Sequence, residues 1–229
     1  MNPGKDRRRV QVSDLARMID HTLLKSDATA SQVEKLCAEA LEFGFWAVCV
    51  NPIHIERCRI LLAGSKVKVC SVVGFPLGAE TTAAKVFEAK EAESLGADEI
   101  DMVINIGALK DGKWGTVEDD MASVVNVTSK NIITKVILEN CYLTEKEKIK
   151  GCRLAMAAGA DFVKTSTGFG PSGATLEDVA LMRRTVGDEL GVKAAGGIRD
   201  LHTALKMIEA GATRIGTSSS VQIITGSGG

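Results

Sequence analysis

A short phrase that begins near a glycine recurs along this chain and constrains its fold more than any other feature. It reads LGADEIDMV at 95–103, AGADFVKTS at 158–166 and AGATRIGTS at 210–218, with a looser copy, FGFWAVCV, at 43–50. Each glycine suits the left-handed residue that ends a helix, and a β-rich run follows within a few residues. The phrase therefore predicts repeated helix-to-strand junctions.

Eight β-rich runs alternate with segments that have helical periodicity. The helical segments, such as VEKLCAEALEF, are long enough for the crossover that parallel strands require. Helix starts are indicated by capping-box patterns at 31–34, 116–119, 144–147 and 175–178. The predicted strands are 18–24, 46–50, 67–73, 99–105, 133–139, 161–167, 192–197 and 213–218.

This alternation, without a Pro/Ser-rich linker, predicts one α/β domain over residues 1–229. The expected fold is a single (β/α)8 TIM barrel with a short extra helix at its N-terminus. About residues 1–10 and 225–229 are expected to be flexible ends. The alternative is an open doubly wound sheet, but no G-x-G-x-x-G string follows the early strands, so the barrel is favoured.

Composition excludes several classes of partner. A formal net charge of -1 provides no long-range attraction for nucleic acid or for an anionic membrane, so neither is expected to bind. The chain has no run of 18 apolar residues, and no apolar region follows MNPGKDRRRV, which favours a cytoplasmic location. The six cysteines are scattered singly, which predicts core thiols in a reducing compartment and no metal site.

One predicted strand carries a lysine in its middle, in ADFVKTSTGFG at 160–170. A buried ammonium group without a partner is costly, so Lys164 needs either a neutralising neighbour or a role for a neutral amine. Side-chain alternation directs Asp101 into the barrel. If Lys164 and Lys193 also face the lumen, two amines from adjacent strands share a water-poor space with one carboxylate.

Such a group of residues suits covalent catalysis at a carbonyl carbon. Burial and a nearby cation both favour a neutral amine, which can form a Schiff base, while Asp101 can pass protons. A structural ion-pair network of the same residues is the alternative interpretation. The spacing alone does not say which lysine is the nucleophile.

The loops after the seventh and eighth predicted strands are rich in glycine and serine, AAGGIRD at 194–200 and GTSSS at 216–220. In barrels these loops often bind phosphate through backbone N–H groups at helix N-termini, although either loop alone is also consistent with an ordinary turn. The predicted phosphate-binding residues are Gly168, Gly196, Gly197, Ser218 and Ser219.

Nearly the whole chain resembles the class I deoxyribose-phosphate aldolases. The resemblance implies that Lys164 is the Schiff-base lysine, that Asp101 donates and accepts protons, and that Lys193 tunes Lys164 and assists proton transfer. The matching strings are IDHTLLKSDAT (19–29), CVNP (49–52), GFPLG (74–78), GADEIDMVINIG (96–107), VILE (136–139), GADFVKTSTGFG (159–170), VKAAGGIR (192–199) and RIGTSSS (214–220).

The implied reaction is the reversible cleavage of 2-deoxy-D-ribose 5-phosphate into acetaldehyde and D-glyceraldehyde 3-phosphate, in the catabolism of deoxyribose phosphate. The implied partners are a small phosphorylated sugar and aldehydes. No cofactor and no metal are expected, because the protonated imine withdraws electrons from the substrate as a metal ion acting as a Lewis acid otherwise would. Barrels of this family are often dimers, so the resemblance suggests a homodimer.

A few positions depart from the family pattern or are expected to be structural. Ser26 stands where the family usually has proline, and Ser220 where it usually has glycine, next to the predicted phosphate loop. His21 is expected to be a hydrogen-bonded structural residue. Asp20 and Glu139, at predicted strand ends, are expected to orient other polar groups.

Two other functions compete with the aldolase. One is a phosphate-sugar isomerase or synthase on the same barrel, with Asp101 as a base and the lysines as electrostatic clamps. The other is a catalytically inactive barrel that serves as a binding protein, which the presence of Asp101, Lys164 and Lys193 disfavours. Borohydride trapping of a Schiff base separates the first two.

Overall fold

A computed structural model gives the structure of the protein, and it describes residues 12–226. Eight parallel strands close into a barrel in which each strand pairs with its neighbours in sequence and β1 pairs with β8. The predicted TIM barrel and all eight predicted strands are therefore confirmed. The strands are β1 Ile19–Leu23, β2 Ala47–Val50, β3 Lys68–Val73, β4 Glu99–Val103, β5 Ile133–Ile137, β6 Phe162–Lys164, β7 Gly191–Ala195 and β8 Arg214–Thr217.

Helices surround the barrel, and the short α1 confirms the predicted extra helix before the first strand. No helix within residues 12–226 is long and apolar enough to cross a membrane. The expectation of flexible ends falls outside the described residues, apart from 225–226, where the last helix ends. The helices are α1 Val12–Ala16, α2 Ala30–Phe43, α3 Ile55–Leu61, α4 Thr82–Ser94, α5 Ile106–Lys110, α6 Trp114–Val127, α7 Glu145–Ala157, α8 Leu176–Val186, α9 Leu201–Glu209 and α10 Ser220–Thr225, with 3-10 turns at Pro52–His54 and Asn140–Tyr142.

The recurrent glycines end helices as predicted. Gly44, Gly96, Gly159 and Gly211 have φ values of 65°, 102°, 79° and 116°, in the left-handed region that glycine occupies without a steric penalty. Each lies between a helix and the strand that follows it.

The predicted helix starts are only partly correct. The box at 144–147 is confirmed, and Thr175 caps α8 by accepting a hydrogen bond from the Asp178 N–H. The box at 31–34 is wrong, since Thr29 caps α2 in a box with Gln32. The box at 116–119 is also wrong, because α6 has already begun at Trp114.

Alternation along the strands divides the interior into two regions. Outward side chains such as Ile100 and Met102 are buried in the main hydrophobic core. Inward positions of β2 and β3 and the residue after β1 form a small apolar cluster in the lumen, whereas β1 contributes Asp20 there and β4 to β8 contribute mostly charged groups. The lumen is thus apolar on one side and ionic on the other. The apolar cluster contains Leu24, Ala47, Cys49, Cys70 and Val72.

Candidate active site

Seven charged side chains are buried together in the lumen. They occupy inward positions on β1 and on β4 to β8, and none has a side chain more than 5% exposed. They are Asp20, Glu99, Asp101, Lys135, Lys164, Lys193 and Arg214.

Asp101 lies at the centre of this cluster and contacts both predicted lysines. Its Oδ2 accepts hydrogen bonds from Lys164 Nζ at 2.7 Å and from Lys193 Nζ at 2.8 Å. Lys164 and Lys193 are paired in the register of β6 and β7, which places the two amines side by side. The structure thus brings together the three residues that the sequence analysis selected.

A third lysine, which the sequence analysis missed, completes the contacts of Asp101. Lys135 Nζ lies 2.7 Å from Asp101 Oδ1 and 2.6 Å from Glu99 Oε2. Lys135 is paired with Asp101 in the register of β4 and β5. The signal was available, because Lys135 is a charged residue in the middle of an apolar strand, as Lys164 is.

Asp20 and Arg214 close the network on the far side of Lys193. Asp20 accepts a hydrogen bond from Lys193 Nζ and another from Arg214 at 2.8 Å. Arg214 also contacts Glu99 at 3.0 Å. Asp20 therefore orients other polar groups, as expected.

The surroundings keep the buried carboxylates ionised. Burial alone would raise the pKa of Asp101, but the ammonium groups of Lys135, Lys164 and Lys193 hold this pKa well below its usual value. Burial also opposes ionisation of Asp20, yet Lys193, Arg214 and Lys135 lower its pKa to about 2.

Lys193 is held in its charged form. Burial by itself would lower its pKa, but the carboxylates of Asp101 and Asp20 outweigh burial and raise the pKa above the usual lysine value. Lys193 is therefore a permanent cation beside Lys164.

A cavity of about 350 Å³ opens at the mouth of the barrel, and Lys164 is part of its lining. Lys164 is 3% exposed, whereas Asp101 and Lys193 are fully buried and do not line the cavity. Among the three lysines around Asp101, only Lys164 can therefore meet a bound molecule directly.

Four of the five predicted phosphate-binding residues line the same cavity. Gly168, Gly196, Gly197 and Ser218 do so, and within residues 12–226 none of their N–H groups donates a hydrogen bond. Ser219 is not part of the lining; it occupies the N-cap position of α10, and its N–H donates to Thr217 Oγ1.

Two cations that the sequence analysis missed also line the cavity. Lys25 and Arg199 are part of its wall, and neither pairs with a carboxylate in the described part of the chain. Free N–H donors together with unpaired cations make the cavity suited to an anion.

The family model of the DeoC/LacD family aldolases matches residues 15–225. The chain belongs to this family. The membership confirms the resemblance seen in the sequence motifs and the expected enzyme class, because the protein is an aldolase, a carbon–carbon lyase.

Relatives of this aldolase align along almost their whole length. It is 60% identical over 213 residues to the deoxyribose-phosphate aldolase of Lysinibacillus sphaericus (strain C3-41), covering 93% of this chain and 96% of the relative. It is 61% identical over 216 residues to that of Thermococcus gammatolerans, with the same coverage of 93% and 96%.

A solved structure agrees with the fold of the aldolase. The tetrameric deoxyribose phosphate aldolase from Aeropyrum pernix is 34% identical, covers 95% of this chain and 92% of its own, and superimposes with a TM-score of 0.89.

Ser220, one of the departures from the family pattern, does not face the cavity of this aldolase. It is buried, and its Oγ lies 2.9 Å from His21 Nδ1, while His21 Nε2 lies 2.8 Å from Glu39 Oε2. Burial lowers the pKa of His21, although Glu39 opposes the shift. His21 is thus a hydrogen-bonded structural residue, as expected.

The lumen contains two groups of side chains with metal-ligand spacing, but lysine fills the space between them. The groups are Cys49, Cys70 and Asp101, and Asp20, Cys70 and Glu99. Lys135 Nζ lies 3.4 Å from Cys70 Sγ and also contacts Asp101 and Glu99. Its ammonium group occupies the position that a cation would take, so the donor set does not fit a metal ion.

Proposed function

We propose that this aldolase reversibly cleaves 2-deoxy-D-ribose 5-phosphate into acetaldehyde and D-glyceraldehyde 3-phosphate, with Lys164 as the Schiff-base residue. The observation that carries the proposal is the position of Lys164, which lines the cavity while its amine contacts Asp101. The names of the relatives from L. sphaericus and T. gammatolerans support the substrate.

The contacts within the charged cluster favour Lys164 as the reactive amine. The cluster holds four cations and three carboxylates, so it is balanced when one cation is neutral. Lys193 pairs with Asp20 and Asp101, and Lys135 with Glu99 and Asp101. Lys164 pairs with Asp101 alone, which it shares with both other lysines, and it is the lysine of this cluster that lines the cavity.

The neutral Lys164 amine attacks C1 of the open-chain sugar, and loss of water from the carbinolamine gives the iminium ion. When the C3 hydroxyl loses its proton, the electrons of the C2–C3 bond move toward the iminium nitrogen. D-glyceraldehyde 3-phosphate leaves, and an enamine of the two-carbon fragment remains on Lys164. Protonation at C2 and hydrolysis then release acetaldehyde and restore the amine.

Asp101 serves the proton transfers at the lysine nitrogen. Its Oδ2 is within hydrogen-bond distance of Lys164 Nζ, so it can take a proton from the carbinolamine stage and return it. Because the neighbouring lysines keep its pKa low, Asp101 holds this proton only transiently. Lys193 maintains the positive field beside Lys164 and shares Asp101 Oδ2 with it.

The phosphate group is assigned to the part of the cavity wall that the loops after β6, β7 and β8 form. The free N–H groups of Gly168, Gly196, Gly197 and Ser218 supply the hydrogen-bond donors, in accord with the predicted phosphate loops. Arg199 and Lys25 supply positive charge for the phosphate dianion of the sugar. This charge has to be local, because the net charge of the whole protein is -1.

Reduction with borohydride tests the nucleophile. In the presence of acetaldehyde, borohydride should leave an ethyl group on Lys164, because it reduces the imine to a secondary amine; peptide mass spectrometry locates the group. Lys164→Ala should lose both the label and turnover while its circular dichroism stays unchanged. An ethyl group on Lys193 or Lys135, or no label on an active enzyme, would contradict the mechanism.

We further propose that residues 1–229 form one domain, which works as a homodimer in the cytoplasm. The barrel strands extend from Ile19 to Thr217, which leaves only short segments outside the barrel. All six cysteines are free, which suits a reducing compartment. Two-fold dimers are the commonest symmetric assembly of soluble enzymes.

A further inference from the structure

Glu139 has an unusual backbone conformation for its residue type. Its φ is 54° and its ψ is 64°, and within residues 12–226 no other non-glycine residue has a positive φ. This left-handed conformation is unfavourable for a residue with a long side chain, so surrounding contacts must maintain it. Glu139 follows β5, on the side of the barrel where the strands lead into the mouth loops.

The carboxylate of Glu139 is buried, and it accepts hydrogen bonds from both the backbone and the side chain of Thr167. Glu139 is 2% exposed. Both of its oxygens accept the Thr167 N–H at 3.3 Å, and Oε2 also accepts the Thr167 hydroxyl hydrogen. In the described part of the chain no lysine, arginine or histidine pairs with this carboxylate, and its further contact is Cys141 Sγ at 3.7 Å.

Thr167 transmits this contact to the cavity. Its hydroxyl oxygen accepts the N–H of Phe169 at 3.0 Å, so Glu139, Thr167 and Phe169 form one chain of hydrogen bonds around Gly168. Gly168 has φ 89°, and its free N–H belongs to the cavity lining. The direction of that N–H therefore depends on the turn that Glu139 holds.

The neighbouring Gly170 shows how closely this turn fits the carboxylate. A Cβ atom at Gly170 would lie 2.7 Å from Cys141 Sγ and 3.3 Å from Glu139 Cδ. A side chain at position 170 would thus push the turn away from Glu139.

We propose that Glu139 is a positioning residue for the phosphate group of the substrate. It fixes the turn 167–169 so that the Gly168 N–H faces the phosphate. This role accounts for the left-handed backbone of Glu139 and for its buried carboxylate, which has no cationic partner in the described residues. The inference rests on the proposed function, because it requires a phosphorylated substrate at the Gly168 side of the cavity.

The test compares Glu139→Gln with the parent enzyme on 2-deoxyribose 5-phosphate and on unphosphorylated 2-deoxyribose. The glutamine amide keeps the shape of the carboxylate but loses its negative charge, and it replaces one of the two acceptor oxygens by an NH2 group that only donates. We expect KM for the phosphorylated sugar to rise about tenfold with kcat within about threefold, and kcat/KM for 2-deoxyribose to change less than about twofold. Glu145→Gln, at an exposed position of α7, is the matched control and should behave as the parent does.

Thr167→Val and the double variant show whether the two residues act through one interaction. Thr167→Val should reproduce the loss of phosphate discrimination, and the double variant should be no worse than either single change. If Glu139→Gln does not fold, as judged by circular dichroism, Thr167→Val alone carries the comparison of the two sugars. Equal losses on both sugars, or additive effects in the double variant, would overturn the inference. A parent enzyme without preference for the phosphorylated sugar would instead refute the proposed function.

Discussion

Lys164 and Lys193 are neighbours across a pair of parallel strands, yet their environments give them different roles. Lys193 is fully buried between two carboxylates, which raise its pKa. Lys164 shares one carboxylate with two other lysines and lines the cavity. Identical side chains thus become a fixed cation and a candidate nucleophile through the number of acids beside each of them.

The lowered pKa of Asp20 makes the stability of the fold depend on pH. Its folded-state pKa of about 2 lies below the value of about 3.8 in an unfolded chain, so its ionised form stabilises the fold above pH 4. The contribution is about 2 kcal/mol and is lost as the pH falls from about 4 to about 2.

Asp20→Asn should therefore be less stable than the parent at pH 6, and the difference in unfolding free energy should shrink as the pH approaches 2. Urea unfolding of both proteins between pH 2 and pH 6 measures this difference. A difference that does not vary with pH would show that the ionised form of Asp20 contributes no stability.

At the scale of elements, the loops after β6 and β7 pack against each other through glycine. A Cβ atom at Gly173 would lie 2.1 Å from the Gly196 carbonyl oxygen, and Ala174 N–H donates to that oxygen at 3.0 Å. Gly196 lines the cavity, so the contact between the loops fixes one of the proposed phosphate donors. Glycine at position 173 is required by close backbone approach.

Gly173→Ala should separate these loops. We expect a loss of about 1–3 kcal/mol in unfolding free energy, since the added methyl meets a backbone atom that cannot rotate away. KM for the phosphorylated substrate should rise as well. The measurements are urea unfolding and steady-state kinetics.

Gly115→Ala is the control for this change. Gly115 lies in the first turn of α6, and nothing lies within 4 Å of a Cβ atom built there. Alanine should stabilise this helix by up to about 0.5–1 kcal/mol and leave the kinetics unchanged. If both alanine variants behave alike, the packing of the two loops does not matter.

At the scale of the whole molecule, the barrel keeps its ionic groups and its apolar groups on opposite sides of one lumen. Leu24, Cys49 and Val72 belong to the apolar side, and Phe75 packs against that cluster. Phe75 also meets Phe169 of the cavity wall in an edge-to-face contact at 5.4 Å. The cavity that Lys164 lines is therefore bordered by an apolar contact at Phe169 as well as by the glycine-rich loops.

The proposed homodimer is a prediction at this scale. The exposed apolar side chains Ile53, Ile60, Leu77 and Phe87 offer surface that an interface could cover. Sedimentation equilibrium at micromolar concentration should give the mass of two chains. A mass of one chain would refute the dimer, and a mass of four would match the assembly of the A. pernix relative instead.

Much of the fold was predictable because its signals are local. The glycines Gly44, Gly96, Gly159 and Gly211 mark helix ends by a property of their own backbone, and hydrophobic alternation marks the strands between them. The wrong capping boxes at 31–34 and 116–119 have a local cause as well. A Thr or Ser pattern can fit at several positions along one segment, and tertiary packing selects where the helix begins.

The site was predictable to the extent that strand parity determines direction. Alternation placed Asp101 inside the barrel and made an inward Lys164 one of two possible orientations, and the same rule applied to 133–137 would have found Lys135. Arg199 and Lys25 lie in loops, where no period relates sequence position to direction. Their place in the cavity wall appears only in the folded chain.

The amino-acid sequence by itself determined the order of eight strands and their helices, and which side chains share a face of each strand, because these follow from periodicity and from the conformational range of glycine. Tertiary structure alone decided that three lysines share Asp101, that Lys164 is the one reaching the cavity, and that Glu139 holds the turn at Gly168. These are contacts between residues distant in the chain. Closure of the barrel sets their distances, and no local pattern encodes them.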